Sequence, residues 1–454
     1  MKKEITIILP IELKKREFDS RLLLAYHLVN KGYKVIIGDR AGCERESKNI
    51  QNCIYIAKSL AYSQKAMYEN FHANNGKVLV LYEEGAYVGR INNVLSEIES
   101  AYPSGMLEHV DGILVYGDSF NELLKTNVDS LNDSNVFTVG NPRFDLHKPS
   151  YFPYFKDEIS EIKKEVGDYI LFNGNFVRGN HHLGQVHLKN EIDENKELTE
   201  EAKLIFYSMM EESKEQLDSF IKMIEKVAES FPEKTMLVRP HPGEDKKIYH
   251  QILSKFKNVR ITNEGMAYPW IIGADLVIHQ DCTTAVESVF AEKPVISYYP
   301  FEDKSNLFWL STFLSEMVST EAELIQKVTT NLKNTSFLSE EQEKKITDEI
   351  INYKDFSHKR LINILSNFTN DMSQSYNKKQ SIDEKLALSY QRFRAFLRWK
   401  KGKYYLKTRY VLAYEGIKKT EVLKKIKTIS SIENDSQQEI KVSRRGINVF
   451  HLKV

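Results

Sequence analysis

The chain has 454 residues, 41% hydrophobic, 11% aromatic and 28% charged, which is material for two or three ordinary domains. No run approaches the ~20 apolar residues that a transmembrane helix needs, and the three cysteines (Cys43, Cys53 and Cys282) have neither metal-ligand nor disulfide-framework spacing, so a reducing cytoplasm is the expected compartment. The formal net charge of +1 hides an asymmetry. Met372–Val454 carries 20 Lys+Arg against 7 Asp+Glu, which leaves 44 basic and 56 acidic residues for the rest, an acidic body with a basic tail.

The N-terminus, MKKEITIILP, has the lysines and apolar run of a secretion signal. The run stops after about seven residues in charged sequence without a small-residue cleavage site, so it reads as a first buried strand. Next comes DSRLLLAYHLVNKG, a helix that Asp19 or Ser20 can cap and Gly32 can end. KVIIGD, CIYIA, KVLVLY, GILVY and NVFTVG follow, each a short β-branched run separated by helix-length segments. Continuous apolar strands alternating with helices predict a parallel sheet covered on both faces. The pattern pauses near Pro149–Pro153 and restarts with DYILFNGN, a long helix from about Leu198 to Phe231, then TMLVRP, NVRIT, ADLVIH and PVISYYP. The expectation is therefore two Rossmann-type domains, 1–165 and 166–371, with a basic helical tail over 372–454. No solenoid-period repeat is present.

In open α/β sheets ligands bind beyond the carboxyl ends of the strands, so chemistry is sought there. KVLVLY runs into Glu83-Glu84-Gly85. Adjacent carboxylates repel, which raises one of them toward a useful general base, although a solvated acidic turn has the same composition. TMLVRP runs into Arg239-Pro240-His241-Pro242-Gly243-Glu244, where His241 can donate to a phosphate or shuttle a proton and Arg239 can grip a phosphate. ADLVIH ends in His279-Gln280-Asp281-Cys282-Thr283-Thr284, a hydroxyl-rich entry to a helix suited to an anion. Thr284 with Glu287 also fits a capping box, as do Ser119 and Glu122 in the first domain, so Thr283 is the better phosphate contact. Further strand-end candidates are Glu12, Lys14 and Arg16 after the first strand, Asn141 and Arg143 in GNPRFD, and Asn173 and Asn175 around a glycine. His181, His182 and His187 cluster without a carboxylate or cysteine to complete a ligand pattern, so no metal is expected. The absence of GxxxxGK[ST] and of GxGxxG after the first strand disfavours P-loop phosphoryl transfer and dinucleotide redox chemistry.

Glu83-Glu84-Gly85 resembles the D/E-D/E-G motif of bacterial sialyltransferases, His241-Pro242 their HP motif, and Thr283-Thr284 their downstream Ser/Thr pair, in the same order along the chain. LPIELKKREFDSRLLLA, VYGDSF, GNPRFD, RPHP and HQDCTTAVES…KPVISY resemble bacterial surface-carbohydrate biosynthesis proteins over about residues 1–365, and related motifs occur in Kdo transferases. The resemblance implies a GT-B-like fold, two Rossmann-type domains facing a central cleft, and an inverting, metal-independent transfer from a CMP-activated ulosonic acid (Kdo, sialic acid or another nonulosonate) to a glycan or lipid-linked acceptor. It implies no cofactor beyond that donor, His241 on the CMP phosphate with Arg239, Thr283 and Thr284 assisting, and Glu83 or Glu84 as base. The alternatives are a CDP-glycerol or CDP-ribitol polyol-phosphate transferase and a UDP-sugar 2-epimerase-like isomerase. The tail lies outside the resemblance. Arg392, Arg394, Arg398, Lys400, Lys401 and Lys403 interleave there with Phe393, Phe396, Leu397 and Trp399, which suits either contact of 385–427 with the anionic inner face of the cell membrane or a packed terminal helix. Nucleic acid is not an expected partner.

Overall fold

The computed structural model describes residues 5–48, 50–83, 105–195, 198–280, 282–302, 309–333, 338–372, 381–401, 416–434 and 439–454. It is an α/β protein with two units, each built on a parallel, Rossmann-type sheet. Among the described residues the first unit takes the chain as far as Leu146 and again over Lys344–Val454, and the second is His147–Glu343. The tail is thus part of the first unit rather than a third domain, and the expected boundary at 165/166 falls earlier. Buried polar bonds fix this return. Asn352 Nδ2 donates to the Asn141 carbonyl at 2.9 Å and to Asp145 Oδ1 at 2.8 Å. The backbone N–H groups of Ser357 and His358 donate to the Asp145 carboxylate at 2.9 and 3.1 Å. Gly140 makes the approach feasible: its φ is +85°, and a Cβ there would lie 2.6 Å from Asn352 Oδ1.

The first sheet contains β1 (Thr6–Ile11), β2 (Lys34–Asp39), β3 (Cys53–Ala57), β4 (Lys77–Leu81), β5 (Gly112–Val115) and β6 (Val136–Thr138), all parallel. Two tail strands, β13 (Lys441–Gly446) and β14 (Val449–Lys453), complete the order β13-β14-β2-β1-β3-β4-β5-β6. β14 runs antiparallel to β2, with Phe450 opposite Ile37 and Leu452 opposite Val35. The tail is therefore not wholly helical. It supplies the helices Ile382–Lys400 and Lys419–Ile432 and then this hairpin, whose own sequence signal is the alternation in KVSRRGINVFHLKV. All six residues of β1 are buried, as a strand covered on both faces requires.

Helix α1 (Lys14–Asn30) begins well before its expected caps. Leu13 occupies the N-cap position without a side-chain bond, and the Glu17 carboxylate instead receives the Glu12 N–H at 2.9 Å. Asp19 is occupied elsewhere, by Lys425 Nζ of the tail at 2.9 Å, and Ser20 Oγ donates to the Glu17 carbonyl. Gly32, with φ +92°, follows the helix end. The helix Asp118–Asn127 starts from an extended Gly117 rather than from a Ser119–Glu122 capping box, and Glu122 pairs with Lys125 at 2.8 Å.

The second sheet has the order β12-β11-β10-β7-β8-β9, entirely parallel, from β7 (Tyr169–Gly174), β8 (Thr235–Arg239), β9 (Val259–Ile261), β10 (Leu276–Gln280), β11 (Val295–Tyr298) and β12 (Glu316–Val318). The long helix falls at Glu200–Ser230, capped by Thr199 accepting from Ala202 N at 3.1 Å. Its Leu217, Phe220, Ile221, Ile224 and Val227 share a core with Ile170, Phe172, Val238 and Ile278. Among the described residues no helix is long and apolar enough to cross a membrane.

Candidate functional site

Each unit gathers polar residues at the carboxyl edge of its sheet. In the first, Glu12 follows β1, Arg40 follows β2, Lys58 follows β3, Glu83 follows β4 and Asn141 follows β6. Arg21 reaches the same edge from the middle of α1. Its Nη2 lies 2.6 Å from Glu83 Oε2, and the two side chains are 0% and 1% exposed. Lys58 Nζ pairs with Glu17 and stands 3.9 Å from Glu83 Oε2 and 4.0 Å from Glu12 Oε2. Arg40 bonds Glu12 Oε1 at 2.6 Å and Glu44 Oε1 at 2.9 Å. Asn141 Nδ2 donates to the Glu83 carbonyl at 3.0 Å, which fixes the backbone just after β4. Burial raises the Glu17 pKa, but Lys58 and Arg21 outweigh it and hold the carboxyl below its ordinary range.

Glu83 is therefore a carboxylate neutralised inside the protein by a guanidinium, not one presented to solvent. Glu84, its neighbour, lies outside the described residues, as does Asp281. Lys14 turns toward the tail, 2.9 Å from Glu421, and Arg16 sits half-buried in the first turn of α1. Arg143 is buried, its backbone N–H donating to Asn141 Oδ1 at 3.1 Å. Sequence reasoning missed Arg21, Lys58 and Glu17. The available signal was a charged residue inside the apolar run of DSRLLLAY, since a buried arginine requires an anionic partner.

In the second unit β7 lies between β8 and β10, and their registers put Asn173 opposite both Arg239 and His279. The strand-end segments Asn173–Asn175, Arg239–Glu244 and Gln280–Thr284 are thereby neighbours. Asn173 Nδ2 donates to Thr284 Oγ1 at 3.2 Å, and Thr284 donates to Cys282 Sγ at 3.1 Å. Thr283 holds the N-cap position of the helix Thr284–Phe290 without a side-chain cap bond, so the expected Thr284–Glu287 box does not form; Thr284 has turned to Asn173, and Glu287 is buried.

His241 and Pro242 are exposed on a loop tied down by Glu244. Glu244 Oε1 accepts the N–H groups of His241 at 3.0 Å and Phe176 at 3.2 Å, while Oε2 accepts the Tyr249 hydroxyl at 2.6 Å. Burial pushes its pKa up, against the pull of those bonds. Gly243 N donates to His241 Nδ1 at 3.1 Å, which puts the neutral ring's proton on Nε2. Arg239 lies 4.9 Å from the Trp270 ring and donates to the Glu264 carbonyl at 3.0 Å. Burial lowers its pKa to about 10, so it stays cationic at neutral pH. Glu244 is the residue here that sequence reasoning quoted but assigned no role.

His279 was expected among the residues a ligand meets, but it is 0% exposed. Its Nδ1 accepts the Cys282 N–H at 3.1 Å, and its Nε2 donates to Ser315 Oγ at 2.8 Å. Burial lowers its pKa to about 3, so it is a neutral brace for the threonine loop. His182 packs on the HP loop, its backbone N–H donating to the Gly243 carbonyl at 2.9 Å. Among the described residues no group of three His, Cys, Asp or Glu is placed to hold a metal ion.

No protein-family model matches the sequence, and no curated protein matches it. Solved structures with a similar chain path include a putative UDP-N-acetylglucosamine 2-epimerase from Listeria monocytogenes, with 11% identity and TM-score 0.49 over 84% of this chain and 100% of that one. The UDP-GlcNAc 2-epimerase from Neisseria meningitidis gives 12% and 0.45 over 81% and 100%. The wall teichoic acid polymerase TagF gives 10% and 0.48 over 81% and 89%. No residue's role follows from likenesses of this size.

Proposed function

We propose that the chain is an inverting, metal-independent glycosyltransferase of the cytoplasm that uses a CMP-activated ulosonic acid to build a bacterial surface polysaccharide or glycolipid. The observation that carries the reading is the second unit's sheet edge. There a rigidly held His241 and cationic Arg239 at the end of β8, and the hydroxyls of Thr283 and Thr284 after β10, flank Asn173 at the end of the intervening β7. Preorganised donors of this kind stabilise charge on a departing phosphate without a metal ion.

In this reading the acceptor oxygen attacks the anomeric carbon as the bond from that carbon to the CMP phosphate oxygen breaks. The electron pair leaves with CMP, whose developing charge is met by His241 and its neighbours. The acceptor's proton passes to a carboxylate. Glu84 is the proposed base, because the Glu83 carboxylate is 1% exposed and already paired with Arg21. Glu83, Arg21 and Asn141 then act as positioning residues that fix the chain entering Glu84.

Thermal shift with CMP, CDP and UDP tests the donor. Stabilisation by CMP, lost in His241→Ala, is expected. Stabilisation by UDP alone would turn the reading toward an epimerase-like isomerase. A response to CDP with no transfer from CMP-sugars would turn it toward polyol-phosphate transfer.

A further inference from the structure

The helix Ile382–Lys400 has one side docked on the first unit and the other turned outward. On the docked side Ala395 is buried, and the Arg392 guanidinium bonds both oxygens of Glu46, a carboxylate with 1% exposure on α2 (Arg40–Ser47). On the outward side Ile382, Leu386, Tyr390, Phe393 and Leu397 recur at helical spacing and are 76%, 63%, 61%, 57% and 38% exposed. At 100° per residue these five fall within an arc of about 80°, opposite Ala395. Phe396, also exposed, widens the band by about 40°.

Five apolar side chains in one exposed stripe are not incidental surface residues. The charge around them narrows the choice of occupant. Lys385–Lys401 contains six basic residues and no acidic one. Glu384, at the start of the helix, is committed to the capping box with Ser381. Arg394 and Arg398 have no carboxylate partner among the described residues. With Arg45, Ala41, Gln391 and Ala395 they line a recess of about 300 Å³ between α2 and the helix. With Arg392 neutralised by Glu46, a second copy of the same helix would still set five cations against five, and nucleic acid would leave leucine and isoleucine stranded in water.

We infer that this helix lies in the plane of an anionic phospholipid surface, with its apolar stripe among the acyl chains and its arginines on lipid phosphates. An interfacial helix needs this composition: an apolar face, cationic flanks and aromatic rings at the boundary. Long basic side chains reach the phosphates while their stems stay apolar. The inference does not depend on which reaction the protein catalyses.

The test is co-sedimentation of the full chain with phosphatidylcholine vesicles and with vesicles containing about 30% phosphatidylglycerol, in about 0.05 M and about 0.3 M salt. Three proteins are compared: wild type, Phe393→Ser/Leu397→Ser, and Arg394→Glu/Arg398→Glu. Binding to the anionic vesicles only, weakened by salt, is expected. Each basic residue near such a surface contributes about a factor of five, so losing two lowers partitioning at least about 25-fold. All the altered side chains are exposed, so both variants should melt with wild type, and a variant that does not is replaced by Tyr390→Ser or Lys400→Glu. No binding to anionic vesicles, or equal binding to neutral ones, would overturn the inference. So would a self-associating wild type that Phe393→Ser/Leu397→Ser makes monomeric, which would assign the stripe to a second copy.

Discussion

Replacing Glu83 by glutamine removes one charge from a pair that the fold has sealed. Arg21 and Glu83 are 2.6 Å apart with side-chain exposures of 0% and 1%, and Lys58 Nζ stands 3.9 Å from the same oxygen. A neutral amide at this position would leave two buried cations to share Glu17. Removing one member of a buried pair costs about 3–5 kcal/mol, which in a unit of this size lowers its melting midpoint by about 6–20 °C. The converse also holds: Arg21→Met with Glu83→Leu removes both charges and should recover most of the loss, because the desolvation cost disappears with them. Differential scanning calorimetry on wild type, both single variants and the double variant measures the coupling directly. Glu84→Gln should melt with wild type yet lose transfer by about 10²–10⁴-fold, the worth of a general base. A Glu83→Gln protein that melts with wild type and is equally inactive would refute the division of labour between the two glutamates.

Four further outcomes are expected. Because His27 is held neutral by burial, with a pKa of about 3, protons bind the unfolded chain preferentially below its ordinary pKa of 6.5. The stability this gives is complete above pH 6.5 and falls as pH drops, by about 2 kcal/mol down to pH 5; urea titrations of wild type and His27→Asn should diverge by that amount. Glu17 acts in a lower window: its depressed pKa gives stability present above about pH 4.5 and lost as pH falls further, so Lys58→Met should destabilise the protein at neutral pH, and the gap from wild type in urea titrations should narrow below about pH 4.5. Glu244→Ala releases the His241 loop, the Phe176 N–H and the Tyr249 hydroxyl, at about 1–3 kcal/mol for each buried group left unpaired, and should abolish the CMP-induced thermal shift, whereas Glu244→Gln should retain part of it. Gly140→Ala forces φ +85° on a residue with a Cβ and a clash at 2.6 Å with Asn352, so the first unit should lose more than about 1 kcal/mol by calorimetry.

The parallel strands were legible because a strand buried on both faces is apolar through its middle, as IIL, VLVL and LVI are. The second unit's site was legible for a related reason: ligand-facing residues follow strands, and the HP loop and threonine pair follow the two strands that flank β7. Helix starts were less legible. Asp19 has the chemistry of a cap, but Lys425, distant in sequence, claims it. Thr284 and Glu287 have capping-box spacing, but Asn173 bonds the threonine. Local side-chain preferences of about 1 kcal/mol lose to tertiary partners that local sequence does not reveal. The tail misled through charge: lysines and arginines dominate its composition, while the alternation that makes β13 and β14 occupies only its last residues.

That hairpin bears on how the polypeptide matures. β14 lines the β2 edge of the first sheet, yet it is made after every residue of the second unit. The ribosome has released the whole of His147–Glu343 before Val449–Lys453 leaves its exit tunnel, so the second unit can fold during synthesis while the first waits with one strand edge uncovered. Premature termination anywhere between Glu343 and Val449 would spare the later-encoded unit and cripple the one encoded first.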